Sequence, residues 1–291
     1  MTVKLIAIDL DGTLLSAHTH ISETNIQAVR TAQQEGILVT IATGREHGNV
    51  REILQSSGLE TPVISSNGSV IHDEQDQQLF TLPLERQAAN EVLQWLEVNE
   101  YYYQVHSNRG IYTVNNSHQL LAMEVDRLLS TDPDPSLLKM LEAMQFHHEN
   151  TGFLRISSYT EIPDQADLYN VMALSLDPEK LQVGRDKFSN RDDMTMVISG
   201  SHNFEMEHKQ ASKGFALQRL AEHFNIPIED TMAIGDNYND VSMLQIAGKG
   251  VAMGNADLEV QSYADEVTKN NEEDGVAHAI YRALGMSIPS A

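Results

Sequence analysis

Two acidic residues one position apart, Asp9 and Asp11, end a short apolar run and are followed by Gly12 in the stretch Val3 to Leu14. In an extended chain, residues at i and i+2 project to the same side, where two carboxylates at close range repel each other. A cation between them relieves that repulsion, and a divalent ion with oxygen ligands is the simplest candidate. Gly12 permits the sharp backbone turn around such an ion. The same Asp-x-Asp-Gly spelling also serves as a polar turn after a strand, so the pair alone leaves both readings open.

The elements that must position these residues follow from the hydrophobic pattern. Leu5, Ile6, Ala7 and Ile8 form the unbroken apolar run of a parallel strand buried on both faces, and Asp9 falls at its carboxyl end, the edge where open α/β sheets bind ligands. Ser22 caps a helix through about Glu35, with Ile26, Val29 and Ala32 on one stripe and Gly36 as its stop. A strand at Ile37 to Ala42 ends in Thr43-Gly44-Arg45, a helix runs to about Ser57, and a third strand at Pro62 to Ser65 ends in Ser66-Asn67-Gly68. Strands that alternate with helices and end in small polar residues predict a parallel sheet wrapped by helices.

Near Pro83 the pattern changes. Residues Leu84 to Val98 read as an amphipathic helix, and Tyr101 to His106 with Gly110 to Val114 as a hairpin. Helical stretches follow around Leu120 to Leu129 and Ser136 to Met144, separated by the turn-forming Thr131 to Pro135. Then come a strand at Asn170 to Leu176, a helix from Glu179 to about Phe188, and strands near Met194 to Ser199 and Asn203 to Glu207. At Ser212 the first pattern resumes, with a helix and then a buried strand at Thr231 to Ile234 that ends in Gly235-Asp236-Asn237-Tyr238-Asn239-Asp240. The chain therefore reads as one α/β domain, residues 1–82 and 206–291, interrupted by an α+β domain at 83–205. Two chain crossings between the domains imply a hinge.

Composition narrows the partners. The 291 residues are 41% hydrophobic, enough for substantial cores, and carry 42 acidic against 19 basic side chains, a formal net charge of -23. That field opposes nucleic acid and anionic membrane surfaces, so an anionic substrate needs a local positive site. The absence of cysteine excludes disulfides and thiolate metal sites. Met1 to Leu14 has no apolar signal core and no run reaches transmembrane length, which makes the cytoplasm the expected compartment. The sequence assigns no oligomeric state.

Taken together, strand ends supply Asp9, Asp11, Thr43, Asp236, Asn239 and Asp240, and Lys213 stands at a helix start. Three carboxylates can hold Mg²⁺, a hydroxyl and an amide can hydrogen-bond phosphoryl oxygens, and the lysine supplies positive charge. Singly, each has a bland reading: Thr43-Gly44 as a turn, Lys213 as a solvated residue, Gly-Asp-x-x-Asn-Asp as a capped loop. Their joint occurrence in this order resembles the haloacid dehalogenase (HAD) superfamily of Mg²⁺-dependent phosphohydrolases, specifically the Cof-type group, subfamily IIB. The likeness lies in Asp9-Leu10-Asp11-Gly12-Thr13, Ala42-Thr43-Gly44-Arg45, Ser66-Asn67-Gly68, Ser212-Lys213-Gly214 and Gly235-Asp236-x-x-Asn239-Asp240, with no departure at the matched positions.

The resemblance implies a Rossmann-like parallel-sheet core with an inserted α+β cap of type C2B, acting on small phosphomonoesters. It implies Asp9 as the nucleophile that forms an aspartyl phosphate and Asp11 as general acid and base. It places Mg²⁺ on the carboxylates of Asp9 and Asp236 and the main-chain carbonyl of Asp11, with Asp240 supporting the metal's water shell. Leu10 through its amide, Thr43, Gly44, Lys213 and Asn239 would bind the phosphoryl group. A cap closing over the core would exclude water and select the organic part of a sugar phosphate, nucleotide or cofactor phosphate.

Arg45, His47 and Asn67 lie near the strand-end loops, where a substrate contact and a structural role are equally open. Neither His18 with His20 nor His147 with His148 has the spacing of a helical metal motif. Tyr101, Tyr102 and Tyr103 are expected to pack one strand face and expose the other, or to present a ligand surface. A sugar phosphomutase and a non-catalytic phospholigand-binding protein are the competing functions, the latter disfavoured because a binding module needs no general acid.

Overall fold

The computed structural model describes residues 2–16, 20–131, 135–150 and 152–288, so His18 and most of the Thr131 to Pro135 turn lie outside the described residues, as do the side chains of His147 and His148. Leu5–Ile8 forms β1, whose four side chains are all buried. Burying each such leucine or isoleucine contributes about 1.5–3 kcal/mol. Ser22 caps α1 (Glu23–Gln34), its side chain accepting from the Asn25 amide at 3.1 Å. Next come β2 (Leu38–Ala42), α2 (His47–Ser57), β3 (Val63–Ser65), β4 (Val70–His72) and β5 (Gln78–Thr81). They are followed by α3 (Arg86–Val98), β6 (Tyr102–Ser107), β7 (Gly110–Val114), α4 (Ser117–Thr131), α5 (Pro135–Asn150), β8 (Leu154–Ile156), β9 (Leu168–Leu174), α6 (Pro178–Phe188), β10 (Met194–Val197) and β11 (Asn203–His208). The chain continues through α7 (Lys213–His223), β12 (Thr231–Gly235), α8 (Val241–Ile246), β13 (Lys249–Ala252), α9 (Leu258–Gln261), β14 (Glu266–Val267) and α10 (Gly275–Leu284).

The chain divides into two compact units, Met1–Thr81 with Ala211–Ala291, and Leu82–Gln210. The second crossing falls later than the hydrophobic pattern placed it, because β11 runs to His208 and pairs with β9 and β10 along its length.

The first unit is an eight-stranded sheet in the order β14-β13-β12-β1-β2-β3-β4-β5. The strands from β14 to β3 are parallel, and β4 and β5 run antiparallel at one edge. In the middle, Leu5 of β1 sits opposite Thr231 of β12 and Leu38 of β2. Ile6, Ile8, Val39 and Ile41 pack on one face with Val29, Val50, Leu54 and Ile280, while Leu5, Ala7 and Ile64 pack on the other with Leu217, Leu220 and Met243. Helices on both faces of a parallel sheet are the α/β architecture expected from the alternation. The β4–β5 hairpin escaped the pattern reading: its strands are three and four residues long and flank the polar run 73–77. Asp73 closes that turn, its Oδ1 accepting from the amides of Gln75 and Gln77 at 2.9 and 2.8 Å.

The second unit is a six-stranded sheet, β10-β11-β9-β6-β7-β8, antiparallel except for the β7–β8 pair. Val92, Leu96 and Phe188 from α3 and α6 pack with Tyr101, Tyr103 and Val171, whereas Leu121 and Val125 of α4 pack with Tyr102. The tyrosine run is therefore buried at all three positions, contrary to the expectation of one exposed face, because helices cover both sides of this sheet. Among the described residues, no helix is long and apolar enough to cross a membrane.

Helix α2 is tied to the β4–β5 hairpin by a polar cluster. Arg51 donates from Nε to Asp76 Oδ1 at 2.5 Å and from Nη1 to the Thr61 carbonyl at 2.8 Å, and His47 Nε2 lies 2.9 Å from Asp76 Oδ1. The rings of His47 and His72 stack with centroids 3.8 Å apart. Burial, with the nearby His47 and Arg51 charges, pushes His72 down to about 4 against the pull of Asp76 and Asp73. Burial also lowers His47, opposed by its Asp76 bond and by Glu46. An unfolded histidine titrates near pH 6.5, so between there and about pH 4 the unfolded chain binds more protons and stability falls as pH falls. Discounted for partial solvent access, the His72 share is about 1 kcal/mol. Thermal unfolding at pH 7 and pH 5 should show a smaller acid loss in His72→Gln than in the wild type; equal losses would refute this account.

Candidate functional site

The candidate site is built from loops that leave the carboxyl ends of β1, β2, β3, β12 and β13. Asp9 ends β1 and is 4% exposed. Its side chain meets Lys213, the first residue of α7, which Ser212 caps by accepting from the Phe215 amide at 3.1 Å. Lys213 has no exposed surface, and its Nζ donates to Asp9 Oδ1 at 2.6 Å and to Asp240 Oδ1 at 2.5 Å. The other Asp240 oxygen accepts from the amides of Asp236 and Asn237 at 2.9 and 3.0 Å, which fixes the loop after β12. Asp236 in turn accepts from Thr13 Oγ1 at 2.8 Å. Gly12 has φ +79°, and a Cβ there would lie 2.4 Å from Asp236 Oδ2, so both conformation and space require glycine.

The electrostatics are those of a site with excess negative charge. Burial raises the Asp9 carboxyl well above its usual range, and the Asp240 and Asp236 charges add to this against Lys213. Burial likewise raises Asp236. Burial alone would lower the Lys213 ammonium, but the charges of Asp240 and Asp9 outweigh it and hold it above its ordinary value. Carboxylate oxygens of Asp9, Asp236 and Asp240 all lie within 4.8 Å of one another. Both Asp240 oxygens are engaged by protein donors, and Asp236 accepts from Thr13 at 2.8 Å and from Asn255 at 3.5 Å. One lysine among three carboxylates leaves the charge a divalent ion would balance, so the residues fit Mg²⁺.

Asp11 departs from the same-side expectation. The chain leaves the extended conformation at Leu10, whose carbonyl accepts from the Leu15 amide at 2.8 Å while the Asp9 carbonyl accepts from Leu14 at 3.2 Å. The Asp11 side chain, 53% exposed, pairs with Arg45 instead of joining the carboxylate cluster. Thr43 is buried after β2, and its Oγ1 accepts from the Arg45 amide at 3.2 Å. Gly44 lies so close to Asn67 that an added Cβ would sit 2.9 Å from Asn67 Oδ1. That same oxygen accepts from Asn239 Nδ2 at 3.1 Å, so Asn67 links the loops after β2, β3 and β12. His47 belongs to the α2 cluster.

Two further residues were not picked out from the sequence. Asn255 donates from Nδ2 to the Gly12 carbonyl at 2.8 Å, and its Oδ1 accepts from the Asn271 amide at 2.9 Å. The signal was present, since Gly254-Asn255 follows β13 as the other small polar residues follow their strands. Thr13 stood inside a quoted motif with no role attached.

An interrupted parallel sheet with lysine-balanced carboxylates at its strand ends agrees with an α/β phosphohydrolase core that carries an insertion. Residues 6–280 match the haloacid dehalogenase-like hydrolases, and the chain belongs to that family as a phosphatase of the Cof-type group. It is 44% identical over 285 residues to Phosphatase YwpJ of Bacillus subtilis (strain 168), covering 97% of this chain and 100% of that protein. It is 32% identical over 283 residues to the 5-amino-6-(5-phospho-D-ribitylamino)uracil phosphatase YwtE of the same organism, covering 97% and 98%. A solved haloacid dehalogenase-like hydrolase from B. subtilis superposes with a TM-score of 0.82 at 44% identity over 96% of this chain and 99% of that one.

Removing the cation of this site has a thermodynamic signature. Lys213→Ala leaves two buried carboxylates uncompensated and should cost about 3–5 kcal/mol in urea unfolding at pH 7. Adding Asp240→Asn should recover part of that loss. A single-variant loss below about 1 kcal/mol would contradict a net role for the buried bridge.

Proposed function

We propose that the protein is a Mg²⁺-dependent phosphomonoesterase that hydrolyses a small phosphorylated metabolite through an aspartyl phosphate on Asp9. The observation that carries this reading is the buried Lys213 bridge, 2.6 Å from Asp9 and 2.5 Å from Asp240. A carboxylate that burial drives toward protonation is a poor nucleophile, and an ammonium fixed against it favours the ionised form.

In this reading, Asp9 attacks phosphorus through a carboxylate oxygen while the bond to the ester oxygen breaks. Asp11 gives its proton to the departing alkoxide. The Asp11 carboxylate then takes a proton from water as that water attacks the phosphoryl group, releasing inorganic phosphate and restoring Asp9. The Leu10 amide, the Thr43 hydroxyl, the Gly44 amide, Lys213 and the Asn239 amide nitrogen bind phosphoryl oxygens, with Asn67 holding Asn239 in place. Mg²⁺, held by Asp9, Asp236 and the Asp11 main-chain carbonyl, would supply the positive charge that offsets an anionic substrate in this acidic chain.

The test is phosphate release from a panel of sugar phosphates, nucleoside monophosphates, flavin mononucleotide, pyridoxal phosphate and 5-amino-6-(5-phospho-D-ribitylamino)uracil, the compound in the name of the 32%-identical relative. Release should require Mg²⁺, stop with EDTA, and fall at least about a thousandfold in Asp9→Asn. Metal-independent release, or an active Asp9→Asn, would overturn the mechanism. Transfer of phosphate within a hexose phosphate without release would instead define a mutase.

A further inference from the structure

Asp11 and Arg45 form a two-pronged ion pair. Arg45 donates from Nε to Asp11 Oδ2 at 2.7 Å and from Nη2 to Asp11 Oδ1 at 2.6 Å. Its third nitrogen, Nη1, donates to Asn49 Oδ1 at 2.7 Å. The Arg45 backbone is fixed as well: its amide donates to Thr43 Oγ1 at 3.2 Å, and its carbonyl accepts from Ser66 at 2.9 Å. The backbone of Arg45 is thus held to the loops after β2 and β3, its guanidinium is held to α2 through Asn49, and the remaining edge of the guanidinium faces one carboxylate.

An exposed ion pair contributes at most about 1 kcal/mol to stability, so folding does not explain this degree of bracing. What the fork does supply is direction. A half-exposed aspartate otherwise samples several rotamers, and a planar guanidinium binding both oxygens selects one of them, which a lysine's single point charge does not. A carboxylate has about four lone-pair positions, and the fork uses two. Of the others, one carries the proton that Asp11 gives to the departing alkoxide and is then free to accept a proton from water.

Resting on the phosphatase reading above, we infer that Arg45, braced by Asn49, is a positioning residue that aims the Asp11 carboxylate for proton transfer. Arg45 acts through Asp11 and not on the phosphoryl group. The distinction is measurable in the first step, because an alkoxide leaving group needs Asp11's proton and a p-nitrophenolate does not, whereas the water-activating step is common to both esters.

The experiment compares single-turnover release of p-nitrophenol from p-nitrophenyl phosphate and of the alcohol from the best alkyl phosphate of the panel, together with KM, with Mg²⁺, in wild type, Arg45→Ala, Arg45→Lys, Asn49→Ala and Asp11→Asn. Misaiming a proton donor by about an ångström costs about a hundredfold. Arg45→Ala should therefore lose about that factor in the single-turnover rate of alcohol release and less than about threefold in that of p-nitrophenol release, with KM little changed. Arg45→Lys should recover only part, and Asn49→Ala should lose in the same direction by less. Arg45→Ala added to Asp11→Asn should cost nothing further on the alkyl ester, since the two act as a unit. Equal losses in the two single-turnover release rates with a raised KM, or losses additive with Asp11→Asn, would overturn the inference and assign Arg45 to phosphate binding. A wild type that releases no phosphate from either ester would remove the phosphatase reading and this inference with it.

Discussion

The balance of buried charge around Lys213 is the constraint on which the first unit's carboxyl edge depends. Two carboxylates and one ammonium are taken out of water there, and each ion's desolvation penalty is several kcal/mol. Mutual attraction offsets this only where every partner is held at hydrogen-bond distance. The surrounding structure meets that condition: Ser212 fixes the start of α7, and two amides of the loop after β12 fix Asp240. Asp9 is fixed by β1, locked between β12 and β2. The sheet exists in part to hold three charges still.

The balance is deliberately incomplete in a chemical sense. Asp236 brings a third carboxylate, and no second cationic side chain joins the cluster of Asp9, Asp236 and Asp240 among the described residues. The residual negative charge is what a divalent ion would balance. In the proposed reaction, an ion held there would set the local sign and let a chain of net charge -23 attract a phosphate ester.

Much of this could be read from the sequence, because a parallel strand buried on both faces shows as an unbroken apolar run and its end marks the binding edge. That reasoning picked out Asp9, Lys213, Asp236 and Asp240, whose side chains the fold brings together. It failed where local geometry departs from the regular element. Asp11 was expected beside Asp9 on the assumption of continued extension, but the chain turns at Leu10 and the side chain swings to Arg45. The β4–β5 hairpin has strands too short for periodicity to register, and the tyrosine run depended on how many faces of the second sheet are covered. Asn67 and Asn49 act through partners distant in sequence or one helical turn away, which residue type alone does not indicate.

The pairing of β1 with β12 also sets the order of events during synthesis. Leu5 lies opposite Thr231, and no chain can close that ladder until the ribosome has passed β12. The intervening unit is contiguous and carries all its own strands, so it can fold while β1, β2 and β3 still wait for their missing neighbour. Until then, one edge of β1 stands unpaired, with its apolar residues uncovered on the face that α7 will protect. The insertion that divides the domain thus lengthens the interval in which the nascent chain depends on solubility conferred by its own acidic surface.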